Sequence, residues 1–480
     1  MKLSHTMTRT SAVFDDPNLV SCAGLVPVMA LAEAAGLRKL TDERLTVSTD
    51  KGATAGLKVA SIVGGMVAGA DSIDELALLR HGGMRKVFTA AYAPSTLGSF
   101  LRAVTFGHVR QLDAVAARFL LALAGLTPVV GGPGTSTTSA TDLTGGYALV
   151  DVDDTIVEVH GHQKQGAGFG YSRVRGLNAF LATLTTAGRA PVIIAQRLRK
   201  GSCGSPRGAA RLIGDAVTQA RRLLGKDRRV LVRMDSAFFG GPAVRAARAG
   251  GAQVSVTVRL TSTIKAEIAS IDDGAWTTIE YTDAIRDEST GAWISRAEVA
   301  EIDFTAFAAQ KKAHQVPGRL VVRRVPDLNA EKTKAAGQGT LFDLWRFHAF
   351  FTTTEPDVLD TVAADQLHRH HAIIEQVHAD LKHSALAHLP SGKFTANAAW
   401  LVLAVIAFNL TRAAATATSE PTLAKSTTAT IRRKLITVPA RVASSARRIT
   451  LHLPTNWPWE HAWTQLFTLG CGPPATTART

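Results

Sequence analysis

The sequence predicts an α/β protein: a helical N-terminal domain, then a core of mixed strands and helices, with a β-rich insertion inside that core. Three observations predict it. Apolar residues recur at three and four from about residue 17 to 126, the helical period. After a break rich in Gly, Ser and Thr, short apolar runs bounded by turn residues alternate with helical stretches. Two of those runs, Ala148–Asp153 and Val230–Asp235, end in a carboxylate.

Composition sets the frame. The 480 residues are 46% hydrophobic and 19% charged, enough for a substantial core in two or three domains and unlike a disordered chain. Lys and Arg outnumber Asp and Glu 54 to 39, a formal charge of +15 that calls for a polyanionic partner such as nucleic acid. The longest apolar run, Ala398 to Phe408, is 11 residues, short of the ~18 that span a bilayer. No membrane partner is expected. The N-terminus has no apolar signal core. Cys22, Cys203 and Cys471 are too far apart in sequence for a metal motif or a disulfide framework. A reducing cytoplasm is the expected setting, with the protein at the nucleoid.

The elements follow in order. Leu25 to Ala32 and Leu112 to Leu126 carry helical periodicity, Ser95 after Pro94 is placed to cap a helix through Arg102, and Gly82-Gly83 closes a helix from Ile73 to Arg80. The pattern admits a helix-turn-helix, and residues 1–130 are read as a DNA-binding domain. Residues 131–146 read as a linker. Residues 147–261 form the first part of the core. Ala148 to Val159 is a strand, Phe180–Thr185 and Pro191–Ala195 flank a turn at Gly188, and Ala209–Leu224 is a helix. The strand to Asp235, a short helix from Pro242 to Ala249, and a strand from Val254 to Val258 complete it. Three antiparallel strands, a helix, and a strand carrying a second acid is the order of an RNase H-like fold. Residues 262–354 read as a β-rich insertion, with runs at Trp276–Tyr281, Trp293–Ile302, Leu320–Arg324 and Leu344–Thr354. Residues 355–412 return to helix as the second part of the core, and 413–480 form a basic C-terminal region.

Three acids carry the chemical expectation: Asp153, Asp235 and Glu375. An Asp just past a buried strand is fixed yet reaches solvent. Two such groups and a helical Glu can hold Mg²⁺ by oxygen alone. Two ions so held activate the attacking oxygen and stabilise the leaving one in phosphodiester chemistry. On one continuous helix at roughly 100° per residue, His368, His371, Glu375 and Lys382 fall within about 60° of one another. Leu367, Ile374, Val377 and Leu381 form the adjacent apolar stripe, with His370 pointing toward it. Taken singly, a strand-end Asp is more often a turn or cap residue, and a mixed-charge helix is usually a solvated face; it is the combination that points to chemistry. Asp151 and Asp154 are read as the tolerant neighbours of Asp153. Zinc at His368, His370, His371 and Glu375 is disfavoured, for there is no His-Glu-x-x-His and no cysteine partner. His160-Gly161-His162 reads as a loop.

At these residues the chain resembles the bacterial insertion-sequence DDE transposases, whose signature helix reads Tyr-x2-Arg-x3-Glu-x6-Lys. The spacing is kept as His368-x2-His371-x3-Glu375-x6-Lys382, with His at the Tyr and Arg positions. Asp151-Val152-Asp153-Asp154-Thr155 resembles the first-acid element and favours Asp153. Gly161–Tyr171 resembles a loop of one subgroup, Arg233–Phe239 the second-acid motif, and Asn397–Arg412 the helix after the signature. The resemblance implies a β-rich insertion in the 140-residue step from Asp235 to Glu375 (375 minus 235). It also implies two Mg²⁺ or Mn²⁺ ions on Asp153, Asp235 and Glu375. His368, His371, Lys382 and Arg369 would contact phosphate. The implied partners are the element's terminal inverted repeats and target DNA, bound by a homodimer. The implied reactions are cleavage at element ends and strand transfer. A stand-alone nuclease of the same fold, or an inactive DNA-binding descendant, are the alternatives.

Overall fold

The computed structural model of the chain describes residues 1, 4, 7–48, 50–131, 144–161, 163–286, 293–326, 345–445 and 448–472. Most of the expected linker, and His162, lie outside the described residues.

A ten-stranded mixed sheet carries the two aspartates. Its strands are β1 (Ala148–Glu158), β2 (Gly168–Phe169), β3 (Arg175–Thr185), β4 (Val192–Lys200), β5 (Val230–Met234), β6 (Gln253–Val258), β7 (Thr277–Arg286), β8 (Trp293–Ala306), β9 (Val316–Pro326) and β10 (Trp345–Thr352). β2 and β4 both pair with β3, and the order continues β3-β1-β5-β6-β10-β9-β8-β7. β1 and β3 are antiparallel, while β1, β5 and β6 are parallel. The parallel strands are apolar on both sides because both faces are covered. Val150 and Val152 lie in the main core, whereas Leu149, Leu231, Val321, Phe350 and Leu367 build a second cluster on the opposite face.

The β-rich segment does not form a layer of its own. β10 pairs antiparallel with β6, Ala349 opposite Val258 and Thr352 opposite Ser255, so its strands extend the central sheet. That pairing satisfies the backbone donors and acceptors that β6 would otherwise leave open at an edge.

The longer helices are α1 (Leu25–Ala34), α2 (Leu37–Arg44), α3 (Ala55–Ala68), α4 (Pro94–Ala103), α5 (Phe106–Leu126), α6 (Ala209–Leu224), α7 (Gly241–Ala249), α8 (Ser262–Ala269), α9 (Thr361–Arg369), α10 (Ile373–Lys382), α11 (Phe394–Thr416) and α12 (Glu460–Cys471). Two local expectations change. Ala93, not Ser95, precedes α4, and Pro94 takes its first turn, where the missing N–H costs nothing. The segment before Gly82 is a 3₁₀ helix, Asp74–Arg80. Thr105 caps α5 by accepting from His108 N, while His108 Nδ1 accepts from Thr105 N at 3.1 Å.

α11 is apolar on every side and buried along its length, as a helix at the centre of a core must be. By length and composition it could cross a membrane, but here it is wholly enclosed by protein. It packs against α3 and α5 on one side and β4 on the other. Asn409 on it donates to Ile193 O at 2.7 Å and accepts from Ile193 N at 2.9 Å. The N-terminal helices thus share one core with the sheet. The C-terminal region is folded as well. Leu19–Val20 pairs with Ala440–Arg441, and α12 packs on α1.

Candidate active site

β1 and β5 run parallel in register, Asp151 beside Arg233 and Val152 beside Met234. The next step of that register sets Asp153 beside Asp235. Residues two apart on a strand share a face, so two charge pairs of opposite character are stacked along one face. The lower is a buried ion pair and the upper is two carboxylates.

The lower pair is closed. Arg233 Nε and Nη2 donate to Asp151 Oδ1 and Oδ2 at 2.6 and 2.8 Å, and Arg233 Nη1 donates to Leu367 O. His371 Nδ1 meets Asp151 Oδ1 at 2.9 Å. Asp151 is 0% and Arg233 1% exposed, so each charge exists only because the other is there. Burial pushes the Asp151 carboxyl up, but Arg233 and His371 more than offset this and hold it below the ordinary range.

The upper pair is open. Asp153 lies within β1, which continues five residues past it, and not at a strand end as expected. Its Oδ1 accepts from Asp154 N at 2.7 Å. Asp235 stands directly after β5 and accepts from Ala237 N at 3.0 Å, capping the turn Ser236–Phe238. Burial, then the charge of Asp153, raises the Asp235 carboxyl above its ordinary value; the Ala237 N–H and His371 oppose this.

The covering helix differs from the continuous one expected. α9 and α10 are separated by a 3₁₀ turn at His370–Ala372, and the tighter turn rotates the phase between them. His368 is therefore turned into the fold. Its ring stacks on Phe350 with centroids 4.1 Å apart, and its nitrogens meet Ser255 Oγ at 2.8 Å and Thr257 Oγ1 at 2.9 Å. Burial, then neighbouring cations, holds its pKa well below 6.5, so the ring is neutral. His371 is turned onto Asp151. His370, expected in the core, is exposed, because the 3₁₀ turn carries it off the apolar stripe. The stripe itself, Leu367, Ile374, Val377 and Leu381, is buried.

Glu375 sits in the first turn of α10 with its side chain exposed; among the described residues it makes no hydrogen bond or ion pair. One turn on, His378 is buried, and its Nε2 lies 3.5 Å from Asp153 Oδ2, too long for a strong hydrogen bond. Sequence reasoning passed over His378. The signal was its place three residues after Glu375 and four before Lys382, on one helix face. Burial lowers the pKa of Lys382, opposed by the charge of Asp153. Arg369 donates to Asp365 Oδ2 at 2.9 Å.

The neighbours of Asp153 are structural rather than tolerant. Asp151 is buried as described. Asp154 accepts from Asn178 Nδ2 at 2.8 Å, from Ser205 Oγ at 3.1 Å and from Arg199 Nη2. The Gly161–Tyr171 loop is tied to the start of α11: Gln165 N donates to Gly392 O at 2.9 Å, and Phe394 N to Gln165 Oε1 at 3.1 Å. Two residues before Lys382, Asp380 accepts from Thr428 Oγ1 at 2.5 Å and from Arg412, fastening α10 to α11.

Asp153 and Asp235 fit a divalent cation. They are hard oxygen donors on adjacent strands, and the repulsion that raises Asp235 is one a cation relieves. Glu375 does not close the set, for among the described residues no three His, Cys, Asp or Glu side chains are gathered to hold an ion.

The mixed sheet thus sets two carboxylates side by side, with a third on α10. A family model described as transposase DDE domain, group 1, matches residues 144–469, and the chain belongs to that family. The family is one of transposition enzymes, which as a class use divalent metal ions. Among curated proteins none matches the chain.

Proposed function

We propose that this protein is a metal-dependent transposase that cuts DNA at element ends and joins the freed end to target DNA. The observation that carries this reading is Asp235, one step past the in-register pairing of β1 with β5 and close enough to Asp153 to feel its charge, inside a chain of this family. The strand order, three antiparallel strands followed by parallel β5 and β6, supports an RNase H-like core. Asp153 and Asp235, with Glu375 as third oxygen donor, would hold two Mg²⁺ or Mn²⁺. Bound there, such ions would activate the attacking oxygen and stabilise the leaving one.

The chain's own residues do the rest. The Asp151–Arg233–His371 cluster fixes the floor on which the acids stand. His378 packs against Asp153 and keeps bulk water from that side. Lys382 offers a cation to phosphate near Asp153, and the +15 charge draws DNA to the surface. The protein would act on the nucleoid as a homodimer, one copy per DNA end.

The test is DNA carrying the sequences that flank the encoding gene, incubated with Mg²⁺. Nicking at the ends and joined products are expected from the wild type. Asp153→Asn, Asp235→Asn and Glu375→Gln should each lose cleavage by ~10²–10³-fold, the scale of losing one electrostatic stabiliser, while binding DNA nearly as well, since most phosphate contacts lie elsewhere. Near-normal cleavage by any one variant removes that acid from the site. Cleavage without joined products would favour the stand-alone nuclease.

A further inference from the structure

A cavity of about 430 Å³ opens at the junction of α9 and α10. Leu149, Arg189, Arg369, His370, Gln376 and Lys425 are among its walls, and no Asp or Glu lines it. Arg369 holds Asp365, and Arg233 at the cavity floor holds Asp151. Arg189 and Lys425 are different. Among the described residues neither side chain has an ion pair or hydrogen bond. Thr185 Oγ1, also on the wall, is enclosed without a hydrogen-bond partner. Two unneutralised cations in a cavity whose walls carry no carboxylate suit a phosphate oxygen.

We propose that this cavity seats a backbone phosphate of the bound DNA, as an anchor separate from the cutting acids. The proposal rests on the DNA-cutting reading above. Leu149 precedes Asp153 by four residues on β1, about 13 Å at a rise of ~3.3 Å per residue. That span is about four nucleotides at ~3.4 Å each. The strand is therefore gripped about four nucleotides from the cut, along the line of α10.

The test uses the full chain and a mixed-sequence DNA duplex, with binding followed as a function of salt. Each lost phosphate contact flattens the log–log slope by about 0.9, so Arg189→Gln/Lys425→Gln, which empties one phosphate seat, should flatten it by about 0.9. Thermal melts should show the variant folded, since both residues lie at the surface. Arg189→Lys/Lys425→Arg keeps both charges and should keep the wild-type slope; loss of slope there too would remove charge as the cause and overturn the proposal. Lys39→Gln/Lys226→Gln removes two exposed charges elsewhere. If it flattens the slope as much as the cavity variant does, the cavity is not a site, although DNA binding stands. If inorganic phosphate binds the wild type at this cavity while the DNA slope is indifferent to the cavity variant, the site takes free anions and the proposal falls. If the wild type binds no duplex, this inference and the proposed function fall together.

Discussion

Asp151 and Asp153 stand two residues apart on one strand and have opposite fates. Asp151 is sealed against Arg233, so Asp151→Asn would strand a buried guanidinium. Breaking such a pair costs about 3–5 kcal/mol; the urea midpoint of unfolding should fall accordingly, and an unchanged midpoint would mean Arg233 finds another partner. Asp153 instead faces Asp235 across an uncompensated gap. Adding Mg²⁺ to protein stripped with EDTA should raise the wild-type melting temperature. Asp235→Asn should melt higher than wild type in EDTA and respond less to Mg²⁺; equal responses would place the ion elsewhere. The sequence shows both acids because each follows an apolar run. It does not show which of Asp151, Asp153 and Asp154 reaches solvent, since that depends on what sits opposite in the register. Arg233 appears in the sequence only as a break in an apolar strand, and its partner is 82 positions away (233 minus 151). His378 was missed for a similar reason, because its significance comes from Asp153 lying beneath it.

At the scale of elements, the signature segment is two helices joined by a 3₁₀ turn. Its apolar stripe was legible because Leu367, Ile374, Val377 and Leu381 keep helical spacing across the break. The turn was not, for no Gly or Pro marks it, and a phase computed for one straight helix misplaces His368 and His370. His368 titrates the fold. Its native pKa lies well below 6.5, while an unfolded histidine sits near ~6.5. Above that pH both states are neutral and nothing is lost. As pH falls below it, the unfolded chain takes up a proton that the native ring refuses, so stability drops until the native pKa is reached. The unfolding midpoint should therefore be lower at pH 5.5 than at pH 7. His368→Gln should flatten that dependence; an unaltered profile would assign it to other groups. The insertion strands were readable as β-runs from their alternation. Their destination, the open edge of β6, was not, because edge pairing is a long-range choice.

For the molecule as a whole, α11 is the hub, carrying the N-terminal helices on one side and the sheet on the other. A chain begun at residue 144 keeps the sheet and both aspartates but bares the side of α11 that α3 and α5 cover. It should elute from size-exclusion chromatography as aggregate where the full chain does not; a monodisperse fragment would show that α11 can close its own core. The order of synthesis gives this interlocking a consequence in time. α5 ends at Leu126 and α11 begins at Phe394, 268 positions later (394 minus 126). At ~5–20 residues per second, the apolar faces of α3 and α5 wait roughly 15 to 50 s on the ribosome for the helix that covers them. Through that interval the nascent chain depends on whatever holdase shields it. Over that interval the exposed apolar surface is open to other chains, so folding competes with aggregation while translation continues.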